Sequence, residues 1–129
     1  MNLMPLVNLI EAEGFGTKGE DLFVDMLPSE AARAILLRNP LSGTPIDHEM
    51  PGRYKGDFQL IVRTPAGNYA AGETMIERLM ETLFIEDRQV ENLFFSYCRP
   101  RTLPAVFPLS DGNLLEFSTM FDCCFTVGK

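Results

Sequence analysis

The stretch DFQLIVRTPAGNYAAGETMIERLMETL, Asp57 to Leu83, decides the fold, because it combines a strand pattern with a helix pattern. The two sides of the strand are Phe58, Leu60 and Val62 on one face and Gln59, Ile61 and Arg63 on the other. Alternation with a period of two is typical of a β-strand. Ile61 makes the polar side partly apolar, which indicates a strand in the interior of a sheet.

The second half of the stretch predicts an amphipathic helix from Tyr69 to Phe84. The predicted buried stripe is Gly72, Ile76, Leu79, Met80 and Leu83, and the predicted solvent face carries Glu73, Glu77 and Glu81. Pro65, Gly67 and Asn68 predict the turn between strand and helix. Asn68 is expected to cap the helix, and Gly72 is expected to allow close packing on the sheet.

The segment GNYAAGET, Gly67 to Thr74, also has the G-x-x-x-x-G spacing of a phosphate-binding loop. The Lys of such a loop is replaced here by Glu73, whose carboxylate would repel phosphate oxygens. A small nucleotide- or ligand-binding domain is therefore the weaker alternative. Thermal stabilisation by ATP with Mg²⁺ would reveal it.

The C-terminal segment LLEFSTMFDCCFTV has the most regular alternation in the chain. One predicted face is Leu115, Phe117, Thr119, Phe121, Cys123, Phe125 and Val127, and the other is Glu116, Ser118, Met120, Asp122, Cys124 and Thr126. A slip of one residue would expose the aromatic side chains to water, so the register is strongly specified. The preceding SDGN carries the Asp-Gly signal of a hairpin.

The remaining segments complete the order α-β-β-β-α-β-β-β. They predict a helix over residues 2–13, a short edge-like strand in DLFVDMLP, a strand over residues 34–40, and two strands in VENLFFSYCR and RPRTLPAVFP. The segment PSEAARAILL is also compatible with the start of a short helix before residue 40. Because strands cluster rather than alternate with helices, we predict one α+β domain over residues 1–129, a mainly antiparallel sheet with two helices packed on one face.

Residues 40–56, PLSGTPIDHEMPGRYKG, predict a long loop, since three prolines and three glycines oppose regular structure. We expect this loop to project from the sheet and to become ordered when subunits assemble. Charged residues of mixed sign near the loop and in CRPR suit specific protein contacts, although loop charges are often simply solvated. The candidate contact residues are Asp47, His48, Glu49, Arg53, Tyr54, Lys55, Arg63, Arg99 and Arg101.

Composition argues against several functions. The chain of 129 residues has a net charge of −7, one His and three Cys. An acidic protein is poorly suited to grip DNA phosphates, and one His without a C-x-x-C motif cannot supply a usual zinc set. We predict no catalytic residue, cofactor or metal, and we expect reduced cysteines. No apolar run reaches the roughly 20 residues of a membrane helix, and the N-terminus lacks a secretory signal, so we expect a soluble, cytosolic chain.

Taken in order, the segments GTKGEDLFVDMLPSEAARAILL, FQLIVRTPAGNYAAGETMIERLMETL and PLSDGNLLEFSTMFDCCFTV resemble the tail-completion, or tail terminator, proteins of tailed bacteriophages, also labelled minor capsid proteins. The resemblance covers most of the chain. The piece that carries most of it is the strand "FQLIVR" running into an Ala-rich amphipathic helix. None of these motifs is catalytic.

The resemblance implies an α+β structural protein of the virion tail or neck, assembled in the host cytoplasm. It implies a ring, typically a hexamer, at the head-proximal end of the tail tube, in contact with the tube protein and the head connector or stopper. DNA would pass through the ring without specific binding, which an acidic lumen would favour. A stopper or adaptor protein of the neck is the nearest alternative. Arg63 is expected to pair with an acidic neighbour within the fold or the ring.

Overall fold

The computed structural model describes residues 1–28, 31–46, 49, 52–109 and 113–128. In these residues the chain forms a seven-stranded sheet covered by two helices. The helices are α1 (Met4–Ala12) and α2 (Tyr69–Thr82), and the strands are β1 (Leu22–Val24), β2 (Ala34–Arg38), β3 (Arg53–Pro65), β4 (Ile85–Val90), β5 (Leu93–Pro100), β6 (Ala105–Leu109) and β7 (Leu114–Val127). The spatial order is β1-β2-β3-β7-β5-β4, and β6 pairs with β7. Only the pair β1 and β2 is parallel among these strands. The α+β prediction is confirmed.

The C-terminal strand β7 is the centre of the sheet. On one side it pairs with β3 along the whole of that strand, from Arg53 opposite Thr126 to Pro65 opposite Leu114. On the other side β5 and β6 follow each other, because β5 pairs with residues 121–127 and β6 with residues 114–118. The predicted alternation of β7 is confirmed over most of its length, but Val127 is exposed and Cys124 is buried.

Both helices pack on one face of the sheet, and a single cluster of buried side chains joins the two layers. In the middle of this core, Phe58 of β3 stacks on Phe121 of β7 with ring centroids 5.1 Å apart. The prediction that residues 58–63 form an interior strand is confirmed, since β3 lies between β2 and β7. Burial of this apolar face is the main force that holds the helices on the sheet.

Close packing of α2 on the sheet depends on Gly72. A Cβ atom at this position would collide with the Phe117 ring, with Cδ1 and Cζ of that ring each only 3.0 Å away. The predicted role of Gly72 is therefore confirmed. The predicted cap is wrong, because Asn68 occupies the N-cap position but its side chain makes no capping hydrogen bond. A short 3₁₀ turn over Ala66–Asn68 leads into the helix instead.

Strand β4 was not predicted, and the predicted bounds of the strand that follows it are wrong as a result. The four residues between Ile85 and Val90 are all exposed, so no alternation marks the strand. Asp87 has a positive φ of 47°, which interrupts the pleat. The predicted strand VENLFFSYCR is in fact the end of β4, a turn at Glu91 and Asn92, and most of β5.

Two other boundaries differ from the prediction. RPRTLPAVFP is not one strand: Arg99 and Pro100 end β5, residues 101–104 leave the strand, and β6 follows. β6 pairs only with β7 among the described strands, as its prolines suggested. Residues 34–38 form a strand and not the alternative helix. The turn of the predicted hairpin, Ser110 to Gly112, lies outside the described residues, but β6 and β7 do pair in antiparallel fashion.

The predicted loop over residues 40–56 is shorter than expected, because β3 begins at Arg53. At Thr44 the loop lies against the rest of the fold rather than projecting from it. The Thr44 hydroxyl accepts a hydrogen bond of 2.8 Å from the N-terminal amine, and its methyl group lies 3.1 Å from where a Cβ at Gly56 would be. Leu41 and Ile46, in the same segment, are exposed. Residues 47, 48, 50 and 51 lie outside the described residues.

The three cysteines are buried and reduced, as predicted. Burial raises the pKa of Cys123 from 9.0 to about 12, and burial also raises the pKa of Cys98. Folding raises the pKa of the Cys123 thiol, so its protonation stabilises the folded state. The stabilisation is complete at pH values below the pKa that the thiol has in the unfolded chain. That contribution is lost as the pH rises from about 9 to about 12, because the unfolded chain releases the proton first.

We therefore expect the free energy of unfolding to fall between pH 8 and pH 10.5, and to fall less steeply in Cys123→Ala. Urea titrations of both proteins at the two pH values test this. Residues that titrate in both proteins cancel in the comparison. Equal slopes in the two proteins would show that Cys123 does not contribute.

Candidate interaction surfaces

The face of the sheet opposite the helices is mostly polar, and we call it the polar face. It is formed by the alternate residues of β3 and β7 that point away from the core, Lys55, Asp57, Gln59, Ser118, Met120 and Asp122. Gln59 Nε2 donates a hydrogen bond of 2.8 Å to Ser118 Oγ across the two strands. The face thus exposes charged groups at one end and amide and hydroxyl groups in its middle.

Arg101 joins two carboxylates at the charged end of the polar face. Its guanidinium lies 2.9 Å from Asp57 Oδ2, and its Nε donates to Asp122 Oδ1 at 3.0 Å. The hydrogen bonds with Asp122 and then Asp57 raise the pKa of Arg101. Arg101 is half exposed, so this cluster stabilises the fold only modestly. It holds the chain after β5 against the sheet.

Arg99 and Lys55 are the exposed cations beside that cluster. The Arg99 guanidinium lies 4.3 Å from the centroid of the Tyr97 ring, a cation–π contact. The two arginines of the basic segment CRPR therefore have different environments. Arg101 is neutralised by carboxylates, while Arg99 presents its charge at the surface.

Arg63 lies at the other end of the polar face and forms the most buried ion pair of the described chain. Its Nη2 is 2.8 Å from Glu116 Oε2, the residue opposite it on β7. Its Nη1 donates to the carbonyl oxygens of Pro28 and Ala31, each at 3.2 Å. The predicted pairing of Arg63 with an acidic residue is thus present within the fold, and its role at a subunit interface stays a prediction.

The other candidate residues fall into three groups. Tyr54 belongs to the core side of β3, where its ring packs on Phe125 with centroids 5.4 Å apart. Arg53 Nε donates to Cys124 Sγ at 3.2 Å, so Arg53 also contributes to the fold. Glu49 is an exposed turn residue. Asp47 and His48 lie outside the described residues.

An apolar surface at the end of the sheet was missed by the sequence analysis. Leu103, just before β6, is almost fully exposed, and Val106 and Phe107 of β6 are 37% and 53% exposed. Phe84, after α2, is also exposed and shares a shallow groove with Leu103. The available signal was the segment TLPAVFP, which has large apolar residues in a strand marked as an edge by its prolines.

The outer face of α2 presents the predicted acidic row. Glu73, Glu77 and Glu81 are exposed, and Glu77 and Glu81 border the groove beside Leu103. A hydrogen bond with Glu73 raises the pKa of Tyr69 at the start of the helix. On the same helix, the Arg78 guanidinium lies 5.4 Å from the Phe15 ring centroid.

Within the described ranges, no three His, Cys, Asp or Glu side chains gather as a metal site requires. None of the helices in that part of the chain is long and apolar enough to cross a membrane. The features that the structure does show are charged and apolar surfaces around a small α+β core. They offer surfaces suited to contact with other subunits.

The chain belongs to the bacteriophage tail terminator protein family, whose model matches residues 9–126. It is therefore a structural component of a tailed-phage virion with a tail-terminator role. The resemblance described from the sequence is confirmed by this match.

Among solved structures, a chain from the virion of a native gene transfer agent particle is similar in fold. The TM-score is 0.62 at 13% sequence identity, and the match covers 92% of this chain and 84% of that chain. At this identity the likeness concerns the fold alone. A second solved chain is 17% identical with a TM-score of 0.47, covering 94% of this chain and 89% of its own length. No curated protein sequence matches the chain.

Proposed function

We propose that the protein forms a ring, most simply a hexamer, on the head-proximal end of the tail tube. The ring stops tube growth, offers its other side to the head connector or stopper protein, and lets DNA pass through its centre. The observation that supports this proposal most strongly is the tail terminator family match over residues 9–126. The proposal assigns the chain no enzymatic activity, because stopping tube growth needs contact and no chemistry.

Charge supports the passage of DNA. A ring of six copies carries a formal charge of about 6 × (−7) = −42. Affinity for DNA comes mainly from Lys and Arg at phosphates, so a ring with this excess of carboxylates holds DNA only weakly. A duplex can then slide through the ring during packaging and ejection without being retained by it.

The fold supports ring formation by one repeated contact. A cyclic ring requires two different surfaces on each copy, one for each neighbour. The chain has such an asymmetry, because the sheet ends in the short strand β1 on one side and in β4 and β6 on the other.

The test is electron microscopy of tail tubes assembled with and without this protein. We expect tubes of uniform length with a ring at one end when the protein is present, and tubes of variable, excessive length when it is absent. Tubes of unchanged length, with the protein found only on heads, would contradict the proposal and indicate a stopper or adaptor. Retention of DNA by the purified ring at physiological salt would contradict the proposed passage of DNA.

A further inference from the structure

The outer edge of β6 is open, and its side chains are apolar. β4 pairs with β5 and does not reach β6, so β6 has β7 as its only partner among the described strands. Val106 on the helix side of the sheet and Phe107 on the polar face are both exposed, so they flank this edge from its two sides. An open apolar edge invites pairing with another chain unless it is covered. We call the edge with these two side chains the β6 ridge.

A small recess lies near the opposite end of the sheet, between β2, β3 and the start of α2. Its volume is about 70 Å³, and its apolar lining includes Phe15, Ile35, Val62, Ala71 and Met75. Space on this scale holds about five water-sized spheres, which suits one small apolar side chain and is too small for a cofactor. We call it the Thr64 recess. Thr64 also lines the recess and is 5% exposed.

The β6 ridge and the Thr64 recess lie on one cross-strand row, which continues past the recess to Leu22 on β1. Val106 is opposite Phe117 on β7, Phe117 is opposite Val62 on β3, and Val62 is opposite Ile35 on β2. Val62 and Ile35 line the recess. Two surfaces at the same level on opposite sides of a sheet can repeat around a closed ring without a rise from copy to copy.

We propose that the β6 ridge of one copy packs into the Thr64 recess of the next copy, and that this repeated contact closes the ring. The inference rests on the proposed function, since it assumes a ring. The occupant of the recess is thus a second copy of this chain. Val106, which lies on the helix side of the sheet like the recess, supplies the apolar side chain that enters it, and Phe107 contacts the surface outside the recess.

The charges around the two surfaces are complementary. Glu77 and Glu81 border the groove beside the ridge, and the exposed Arg33 lies at the recess. The acidic residue at the recess, Asp21, already accepts a hydrogen bond of 2.6 Å from the Thr17 amide. Opposite charges on the two surfaces guide the heterologous contact and disfavour pairing of like surfaces.

Two variants that each lose one surface test the contact. Val106→Ser/Phe107→Ser removes the apolar ridge, and Ala71→Leu fills the recess with a residue that suits a helix. Each variant alone is expected to be monomeric by native mass spectrometry and unable to cap tail tubes, with an unchanged circular dichroism spectrum. Mixed together, they form a 1:1 heterodimer, because the intact ridge of one fits the intact recess of the other.

The matched control is Phe94→Ser, which removes a partly exposed aromatic side chain from β5, away from the ridge. It should form rings and cap tubes like the unaltered protein. If either surface variant alone formed rings, or if the mixture gave no heterodimer, the assigned contact would be overturned. The proposal that the protein forms a ring would not be affected by either result. An unaltered protein that forms no ring and caps no tube would instead overturn the proposed function.

Discussion

Gly72→Ala is expected to lower the free energy of unfolding by about 2 kcal/mol, although alanine is the better helix former. Replacing glycine by alanine inside a helix normally gains about 1 kcal/mol. Here the new Cβ collides with the Phe117 ring, which is 1% exposed and surrounded by the core. The steric cost is larger than the gain in helix propensity, so the sign of the effect is reversed.

Chemical denaturation of Gly72→Ala measures this loss, and Gly67→Ala is the matched control. Gly67 precedes the same helix, and a Cβ there would have no heavy atom within 4 Å. The control should change the free energy of unfolding by no more than about 0.5 kcal/mol. If Gly72→Ala were as stable as the unaltered protein, the Phe117 ring would have room to move, and the spacing between α2 and the sheet would not be set by this contact.

The role of Gly72 could be predicted from the sequence because it depends on local patterns. The helical spacing around Gly72 and the strict alternation of β7 each identify a buried face. A glycine on a buried helical face indicates a close approach to the opposing layer. The centre of the sheet was predictable for the same reason, since β3 and β7 both alternate clearly.

The edges of the sheet were not predictable in this way. β4 has four exposed residues in succession, so neither burial nor alternation distinguishes it from a loop. The open edge of β6 depends on where β4 ends, which is a property of the assembled sheet. The β6 ridge and the Thr64 recess therefore could not be recognised before the strand order was known.

The ion pair of Arg63 shows a similar division. Its position on the polar side of β3 predicted an acidic partner, but 53 residues separate it from Glu116. Only the register between β3 and β7 brings the two side chains together. The carbonyl groups of Pro28 and Ala31 that complete its hydrogen bonds carry no sequence signal at all, because any residue has a carbonyl.

Arg63→Met is expected to lower the free energy of unfolding by about 3 kcal/mol. The side chains of Arg63 and Glu116 are only 12% and 19% exposed, so methionine leaves a largely buried carboxylate without its cation. It also removes the two hydrogen bonds that hold Pro28 and Ala31 to the sheet. We expect faster tryptic cleavage after Arg33 in this variant, because the nearby chain is then held less firmly.

Urea denaturation of the single and double variants separates the ion pair from the packing around it. Arg63→Met/Glu116→Met removes both charges, and we expect it to be more stable than Arg63→Met alone, since no unpaired charge is left buried. Lys55→Met is the control, because Lys55 is an exposed cation on the same face of the same strand and should change stability by about 0.5 kcal/mol or less. If the double variant were instead as unstable as the sum of the two single variants, the carboxylate would not depend on Arg63. The hydrogen bonds to Pro28 and Ala31 would then be the main contribution of this side chain.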